Sequence, residues 1–260
     1  MQVTRKRITD YDKVLPVIEI YKCLQSEGSR IGMPTVCVRT TGCTHRCWFG
    51  EGGWCDSWYT SIHPEKGTHT FNDIIDIYDK NPQIKEMMLT GGSPTMHPAL
   101  VNELTHFAHE RGIIITIETE GSVYIETDYP IGLVSLSPKF CNSIPKVGIK
   151  TPAGKVVDER FVKTHNRYRL NTDSIKRMMM YHTDYHYKPV WDGTEKNLKE
   201  IEDYRVELDI PKNKTYIMPA GDSRETLIEM YPLVFKMCAE HGYNMTGRDH
   251  IISFDMERGV

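Results

Sequence analysis

Short aliphatic runs alternating with amphipathic stretches constrain this chain more than any other feature. The runs at 14–23, 34–40, 86–90, 113–118 and 132–137 have the length and character of buried strands. Between them, Phe71, Ile74, Ile75, Ile77 and Tyr78 recur at helical spacing until Asn81-Pro82 stops the pattern. Leu100, Val101, Leu104, Phe107 and Ala108 mark a second amphipathic helix, closed by Gly112. Further on come a strand at 185–191, a polar helix from Glu195, a strand at 215–218, a helix-rich stretch and a last strand at 250–254. Strands that alternate with helices indicate parallel βαβ units, and about six are visible, too few for a full eight-unit barrel. The expectation is an α/β fold, an open partial (β/α)6-type barrel in one domain over 1–260. The polar, basic stretch 140–184 has weak periodicity and reads as an insertion with one helix near 173–181.

Charge and composition exclude little but still narrow the function. Among 260 residues, 39% are hydrophobic and 26% charged, and the net charge is −3, so nothing global draws the chain to nucleic acid or an anionic membrane. No run approaches the roughly 20 apolar residues of a membrane span. The charged N-terminus has no apolar run behind it, so a cytoplasmic location is expected.

Of seven cysteines, Cys43, Cys47 and Cys55 fall within thirteen residues. The other four, Cys23, Cys37, Cys141 and Cys238, read as small buried apolar residues, and an odd scattered count argues against a disulfide framework. Three clustered thiolates suit zinc or an iron–sulfur cluster. A structural zinc site needs four protein ligands, and only His45 or His63 is near enough in sequence to complete one. On a four-iron cluster, three cysteines leave one iron open. S-adenosylmethionine can chelate that iron through its amino and carboxylate groups, and an electron from the cluster then yields a 5′-deoxyadenosyl radical. The loop Phe49-Gly50-Glu51-Gly52-Gly53-Trp54 has the glycines to wrap a bulky group, and a second glycine turn, Gly91-Gly92-Ser93-Pro94, follows the next strand.

The motifs, taken together, resemble those of the 7-carboxy-7-deazaguanine synthase family of the radical S-adenosylmethionine superfamily. Leu24-Gln25-Ser26-Glu27-Gly28 is similar to its Leu-Gln-Gly-Glu-Gly segment, and Gly32, Pro34, Arg39, Gly42-Cys43 and Trp54-Cys55-Asp56 follow in its order. Thr90-Gly91-Gly92-Ser93-Pro94 resembles its Thr-Gly-Gly-Glu-Pro turn, and Glu118-Thr119-Glu120-Gly121 its Glu-Thr-Asn-Gly. Leu136-Ser137-Pro138-Lys139, Met218-Pro219 and Gly247-Arg248-Asp249-His250-Ile251 also look like family segments. The chain departs from the pattern in three places. Seven residues separate Cys47 from Cys55 where the family usually has two, Ser26 replaces a glycine, and Ser93 replaces the turn glutamate. Any carboxylate contact to the cofactor at that turn must therefore be made by another residue.

The resemblance implies a radical lyase that contracts 6-carboxy-5,6,7,8-tetrahydropterin to 7-carboxy-7-deazaguanine with loss of ammonia, in 7-deazapurine (queuosine-type) biosynthesis. Its implied cofactors are a 4Fe–4S cluster on Cys43, Cys47 and Cys55, S-adenosylmethionine, and Mg2+ beside Ser57, which stands where the family has threonine. Leu24, Gln25, Ser26, Arg39 and Thr90 would line the substrate pocket, Arg39 with a planar fork suited to a carboxylate. Trp54, Cys55, Asp56, Gly92, Ser137, Pro138, Lys139, Met218 and Pro219 would face S-adenosylmethionine. The resemblance also implies a homodimer and a small electron donor such as flavodoxin or ferredoxin. Two other readings remain at this point: a radical activase acting on a partner protein, and a zinc-stabilised binding module.

Overall fold

The computed structural model describes residues 5–50 and 53–260; residues 1–4 and 51–52, with Glu51 and Gly52 of the glycine-rich loop, lie outside it. Six strands form one sheet in the order in which they occur in the chain: β1 (Val17–Leu24), β2 (Pro34–Thr40), β3 (Glu86–Gly91), β4 (Ile114–Thr119), β5 (Leu133–Leu136) and β6 (Tyr185–Tyr187). A second, three-stranded sheet holds β7 (Val190–Trp191), β8 (Tyr216–Pro219) and β9 (Asn244–Met245), and a parallel bridge from Tyr187 to Thr215 links the two. The barrel is open. Among the described residues no ladder joins β9 to β1, and the gap is crossed by single bonds, Asp249 N–H to the Ser26 carbonyl (3.1 Å) and Gly28 N–H to Thr246 Oγ1 (2.5 Å).

Helices cover the outside of the sheet. After the short α1 (Trp58–Ser61), α2 (Phe71–Asp79) starts at a reciprocal capping box between Thr70 and Asp73. Next, α3 (Pro98–Arg111) begins with Pro98 and stops at Gly112, whose φ of 63° is left-handed. Phe71, Ile74, Leu104 and Phe107 from these helices pack on Val36, Val38, Met87, Leu89 and Ile115 of the sheet, in one continuous core. Two helices, α4 (Glu159–Tyr168) and α5 (Thr172–Tyr181), lie in 140–184, followed by α6 (Glu195–Glu207), α7 (Arg224–His241) and α8 (Asp249–Phe254). Ile175 and Met178 bring α5 into the core, so it acts as the crossover between β5 and β6. Only His165 of α4 is buried, and the first half of 140–184 lies outside the sheet. Among the described residues no helix is long and apolar enough to cross a membrane.

Three expectations need correction. The run 250–254 is not a strand but lies in α8, where the backbone bonds locally, Ile252 N–H to the Arg248 carbonyl (3.1 Å) and Asp255 N–H to that of Ile251 (2.8 Å), while Asp249 N–H is tied to Ser26. The first pair of strands is antiparallel, since the connection 25–33 is shorter than the dozen or so residues that a parallel crossover needs. The strand at 185–191 is broken in two at Lys188-Pro189, where proline has no N–H for a ladder. β9 carries only two residues and gave no sequence signal.

Candidate active site

The C-terminal ends of the parallel strands surround a cavity of about 270 Å³. β2 delivers Arg39 and, just beyond its end, Cys43; β3 delivers Thr90 and the glycine turn; β4 delivers Glu118 and Glu120. Ser137 and Lys139 follow β5, Lys188 follows β6, and Met218 comes from β8. Side chains at these ends converge from separate strands, as in full barrels.

All three clustered cysteines line this cavity. The seven-residue gap between Cys47 and Cys55 does not part them, because the chain doubles back on itself. Trp48 and Trp54 form an antiparallel bridge, Phe49 N–H donates to the Gly53 carbonyl (2.8 Å), and Cys55 N–H donates to the Cys47 carbonyl (3.1 Å). Gly50 and Gly53, with φ of 70° and 78°, turn this small hairpin. The first half of 140–184 clamps the excursion from outside. Trp48 N–H reaches the Ser143 carbonyl (2.9 Å), Trp54 Nε1 donates to the Lys150 carbonyl (3.0 Å), and the Trp54 ring meets Phe161 of α4 edge-on. Arg46 N–H donates to Nδ1 of His165 at 3.1 Å. The longer cysteine gap and the first half of 140–184 thus form one structural unit.

The second glycine turn lies directly on the cysteine loop. A Cβ on Gly91 (φ 129°) would fall 2.1 Å from the Thr40 carbonyl oxygen, and one on Gly92 would fall 2.2 Å from that of Gly42 and 2.9 Å from Cys43 Cβ. Only glycine fits at either place. Ser93 N–H donates to the Gly42 carbonyl (2.8 Å) and completes the contact.

Burial pushes all three thiols up, Cys55 to about 11 and Cys43 and Cys47 further. Ligation by a cationic metal centre would reverse this by taking the protons off. Among the described residues no three His, Cys, Asp or Glu side chains converge on a point that one metal ion could fill. The zinc reading also lacks a fourth ligand, since among the described residues neither His45 nor His63 converges with the cysteines on such a point. Three soft donors around a space, not a point, fit a larger group such as a cluster.

At the other side of the cavity the charges are paired. The buried Lys188 Nζ donates to Glu27 Oε2 (2.6 Å) and Glu118 Oε2 (2.7 Å). Burial alone would drive its proton off, but Glu118 and Glu27 hold its pKa above the ordinary lysine value. Arg248 Nε donates to Glu27 Oε1 (3.1 Å), its Nη1 to the Gly221 carbonyl (2.5 Å), and its Nη2 to Asp56. Against burial, Lys188 and Arg248 hold the Glu27 carboxyl well below the usual range, and Arg248 does the same for Asp56.

The structure brings most of the sequence-selected residues together. Leu24, Ser26, Arg39, Cys43, Cys47, Cys55, Asp56, Ser57, Thr90, Gly92, Ser137, Lys139 and Met218 all line the cavity. Arg39 is partly committed already, with Nε donating to Glu19 Oε2 (2.6 Å) and Nη2 to the Tyr21 hydroxyl (3.0 Å). Ser57 Oγ donates to Asp56 Oδ1 (2.9 Å) and Lys139 Nζ to Ser137 Oγ (3.0 Å). Four selected residues do not reach the cavity. Gln25 is buried with its amide on Thr116 Oγ1 (3.1 Å), Trp54 faces α4, and Pro138 and Pro219 stand behind the lining. Sequence reasoning gave no role to Glu27, Glu118, Glu120 or Arg248, although each sits inside a quoted motif. Lys188 lay in no motif; its one signal was a lysine inside an otherwise aromatic and aliphatic strand pattern.

No family model matches the chain. It is 32% identical over 244 residues to the 7-carboxy-7-deazaguanine synthase of Halobacterium salinarum, covering 91% of this chain and 89% of that one. It is equally similar, 32% over 246 residues, to the protein of that name from Rhodopirellula baltica, with 95% of this chain and 89% of the relative covered. The protein of that name from Pyrobaculum aerophilum matches at 24% over 249 residues. Among solved structures, QueE from Escherichia coli superposes with a TM-score of 0.59 over 90% of this chain and 93% of its own, at 16% identity, which speaks for the fold.

Proposed function

Since the chain belongs to the 7-carboxy-7-deazaguanine synthase family, we propose that it is a radical S-adenosylmethionine lyase that contracts 6-carboxy-5,6,7,8-tetrahydropterin to 7-carboxy-7-deazaguanine and releases ammonia. One observation carries the reading: three cysteines in the family's order line a single cavity with the Gly91-Gly92 turn. The residues fit a 4Fe–4S cluster, with Cys43, Cys47 and Cys55 as its protein ligands. Cluster and S-adenosylmethionine, when bound, supply the one-electron chemistry that begins the reaction.

The chain's own residues do the rest. Gly91 and Gly92 keep side chains out of the space beside Cys43, so a ligand can approach the backbone there. Lys188, fixed between Glu27 and Glu118, presents carboxylates of set orientation to a polar ring such as a pterin. Arg39, Ser26 and Thr90 are placed to meet the substrate, the guanidinium being suited to the pterin carboxylate. A hard cation takes oxygen ligands, and Ser57 beside Asp56 is the proposed place for Mg2+. A small flavodoxin- or ferredoxin-type donor, a homodimeric assembly and a cytoplasmic location complete the proposal. An activase would not call for the Glu27–Lys188–Glu118 arrangement, which suits a small polar substrate better than a protein segment.

The test is anaerobic incubation of the iron-loaded protein with carboxypterin, S-adenosylmethionine, magnesium and reductant, followed by product mass analysis. The deazaguanine mass is expected, and cofactor cleavage without it would defeat the substrate assignment. In the same assay Ser57→Ala should raise the magnesium requirement while Ser57→Thr stays active; normal turnover of Ser57→Ala at limiting magnesium places the ion elsewhere.

A further inference from the structure

Among the residues that line the cavity, only His45 and Glu120 keep a buried side-chain nitrogen or oxygen with no partner among the described residues. Glu120 is the more costly case, because an unpaired carboxylate oxygen shut off from water is destabilising. Its two oxygens are treated very differently. Oε1 accepts from the hydroxyls of Thr44 (2.8 Å), Ser93 (2.8 Å) and Ser122 (2.5 Å), while Oε2 is bare. The side chain is 3% exposed. Most cations around the cavity are paired elsewhere: Lys188 with Glu27 and Glu118, Arg248 with Glu27 and Asp56, Arg39 with Glu19, and Arg258 with Glu19 and Glu65, while Lys139 Nζ donates to the Ser137 hydroxyl and does not reach Oε2. A rigid, water-excluded carboxylate with one free oxygen is a receptor for a hydrogen-bond donor that comes from outside the chain, and an iron-bound amine keeps N–H groups free to donate.

The position of this oxygen identifies the donor. Ser93 follows Gly92, and Gly92 is in contact with Cys43, so Glu120 stands next to the cysteine loop. Resting on the radical S-adenosylmethionine reading, we propose that Glu120 binds the amino group of S-adenosylmethionine and takes over the carboxylate role that Ser93 cannot fill. The bond between Ser93 and Glu120 explains how the exchange is possible. Where the family pattern pairs a turn glutamate with an asparagine, this chain pairs Ser93 with Glu120. Because the two positions touch, a carboxylate on either one serves the same small volume, and the local charge is unchanged. Carboxylates at both positions would repel each other.

The test measures equilibrium binding of S-adenosylmethionine, and of an analogue lacking its amino group, to the iron-loaded protein under anaerobic conditions. The unaltered protein should prefer the amino-bearing cofactor. Glu120→Gln should weaken S-adenosylmethionine about 10- to 100-fold, the worth of a hydrogen bond to a charged group, and leave the analogue unaffected. The exchanged variant S93E/E120N should recover both affinity and preference. Unchanged affinity and preference in Glu120→Gln at full iron content would overturn the proposal and leave the wider function standing. If the unaltered protein binds no S-adenosylmethionine at all, the wider function fails first. Should Glu120→Gln load no iron, the exchanged variant decides: recovered iron without recovered preference makes Glu120 a prop for the cysteine loop and overturns the proposal.

Discussion

At one side of the cavity Lys188 lies between Glu27 and Glu118 and Arg248 bridges Glu27 to Asp56; at the other, one buried and two half-buried thiols and a bare carboxylate oxygen have no such partners. The paired side is complete as folded. The cysteine side is satisfied only when something else is bound, since buried polar groups left alone cost free energy. The difference separates residues that shape the cavity from residues that wait for a cofactor, and three experiments can break or sharpen it.

The largest effect is expected at the cysteines. Cys43→Ala, Cys47→Ala and Cys55→Ala should each abolish reductive cleavage of S-adenosylmethionine and lose cluster absorbance. Alanine at Cys23, Cys37, Cys141 or Cys238 should retain iron, at a folding cost of roughly 1–3 kcal/mol. Full iron content in Cys47→Ala, with cleavage intact, would end the assignment.

On the paired side the same kind of deletion should act on stability instead. Lys188→Met leaves two carboxylates facing each other in a buried site, and breaking such a pair costs about 3–5 kcal/mol. Urea unfolding of the iron-free protein reads this without the cluster. A loss below about 1 kcal/mol would mean that water reaches these carboxylates and that the paired side is not closed.

A smaller effect should appear with acid. Burial lowers His182 to about 4 and His186 to about 3, the latter aided by Lys188. A histidine with a depressed folded pKa stays neutral in the fold while the unfolded chain takes up protons below about 6.5. Its contribution is therefore complete above that pH and shrinks as pH falls toward 4 and then 3. Stability at pH 5 should lie about 1–2 kcal/mol below that at pH 7 for His182 alone, and His182→Gln should flatten the slope. Both histidines stand apart from the cysteines, so iron-free and iron-loaded protein should share this acid limb. A flat profile from pH 7 to pH 5 would show that these rings reach solvent.

The contrast also explains what could be read from the sequence. The strand Pro34–Thr40, the helix over Phe71–Asp79 and the αL stop at Gly112 follow from local chemistry, and local chemistry is what a sequence displays. The cysteine side was equally legible, because its ligand types are chemically distinctive and close together in the chain. The paired side was not. Glu27 and Arg248 are 221 positions apart and Glu27 and Lys188 161 apart, and nothing local to any of them announces the others. The helix α8 was misread for a related reason: His250, Ile251 and Ile252 have strand character, but contacts distant in sequence, such as Arg224 Nε on the Ile252 carbonyl, override it. Trp54 shows the opposite failure, since its motif was recognised but the hairpin turns its ring toward Phe161.

The sheet's order, β1 to β6 in chain sequence, has a consequence for biosynthesis. A chain emerging from the ribosome releases each strand next to the edge its predecessor has just left, and no strand must be threaded between two that are already paired. Such vectorial growth shortens the time for which an unpaired edge is open to other chains. The cysteines and the glycine turn emerge early, but Ser143 and His165, which clamp the cysteine loop, emerge about fifty to seventy residues after that turn. The loop is therefore fully held only when more than half of the chain has been made. Iron delivered by the cell's assembly machinery meets a finished cradle only after that point.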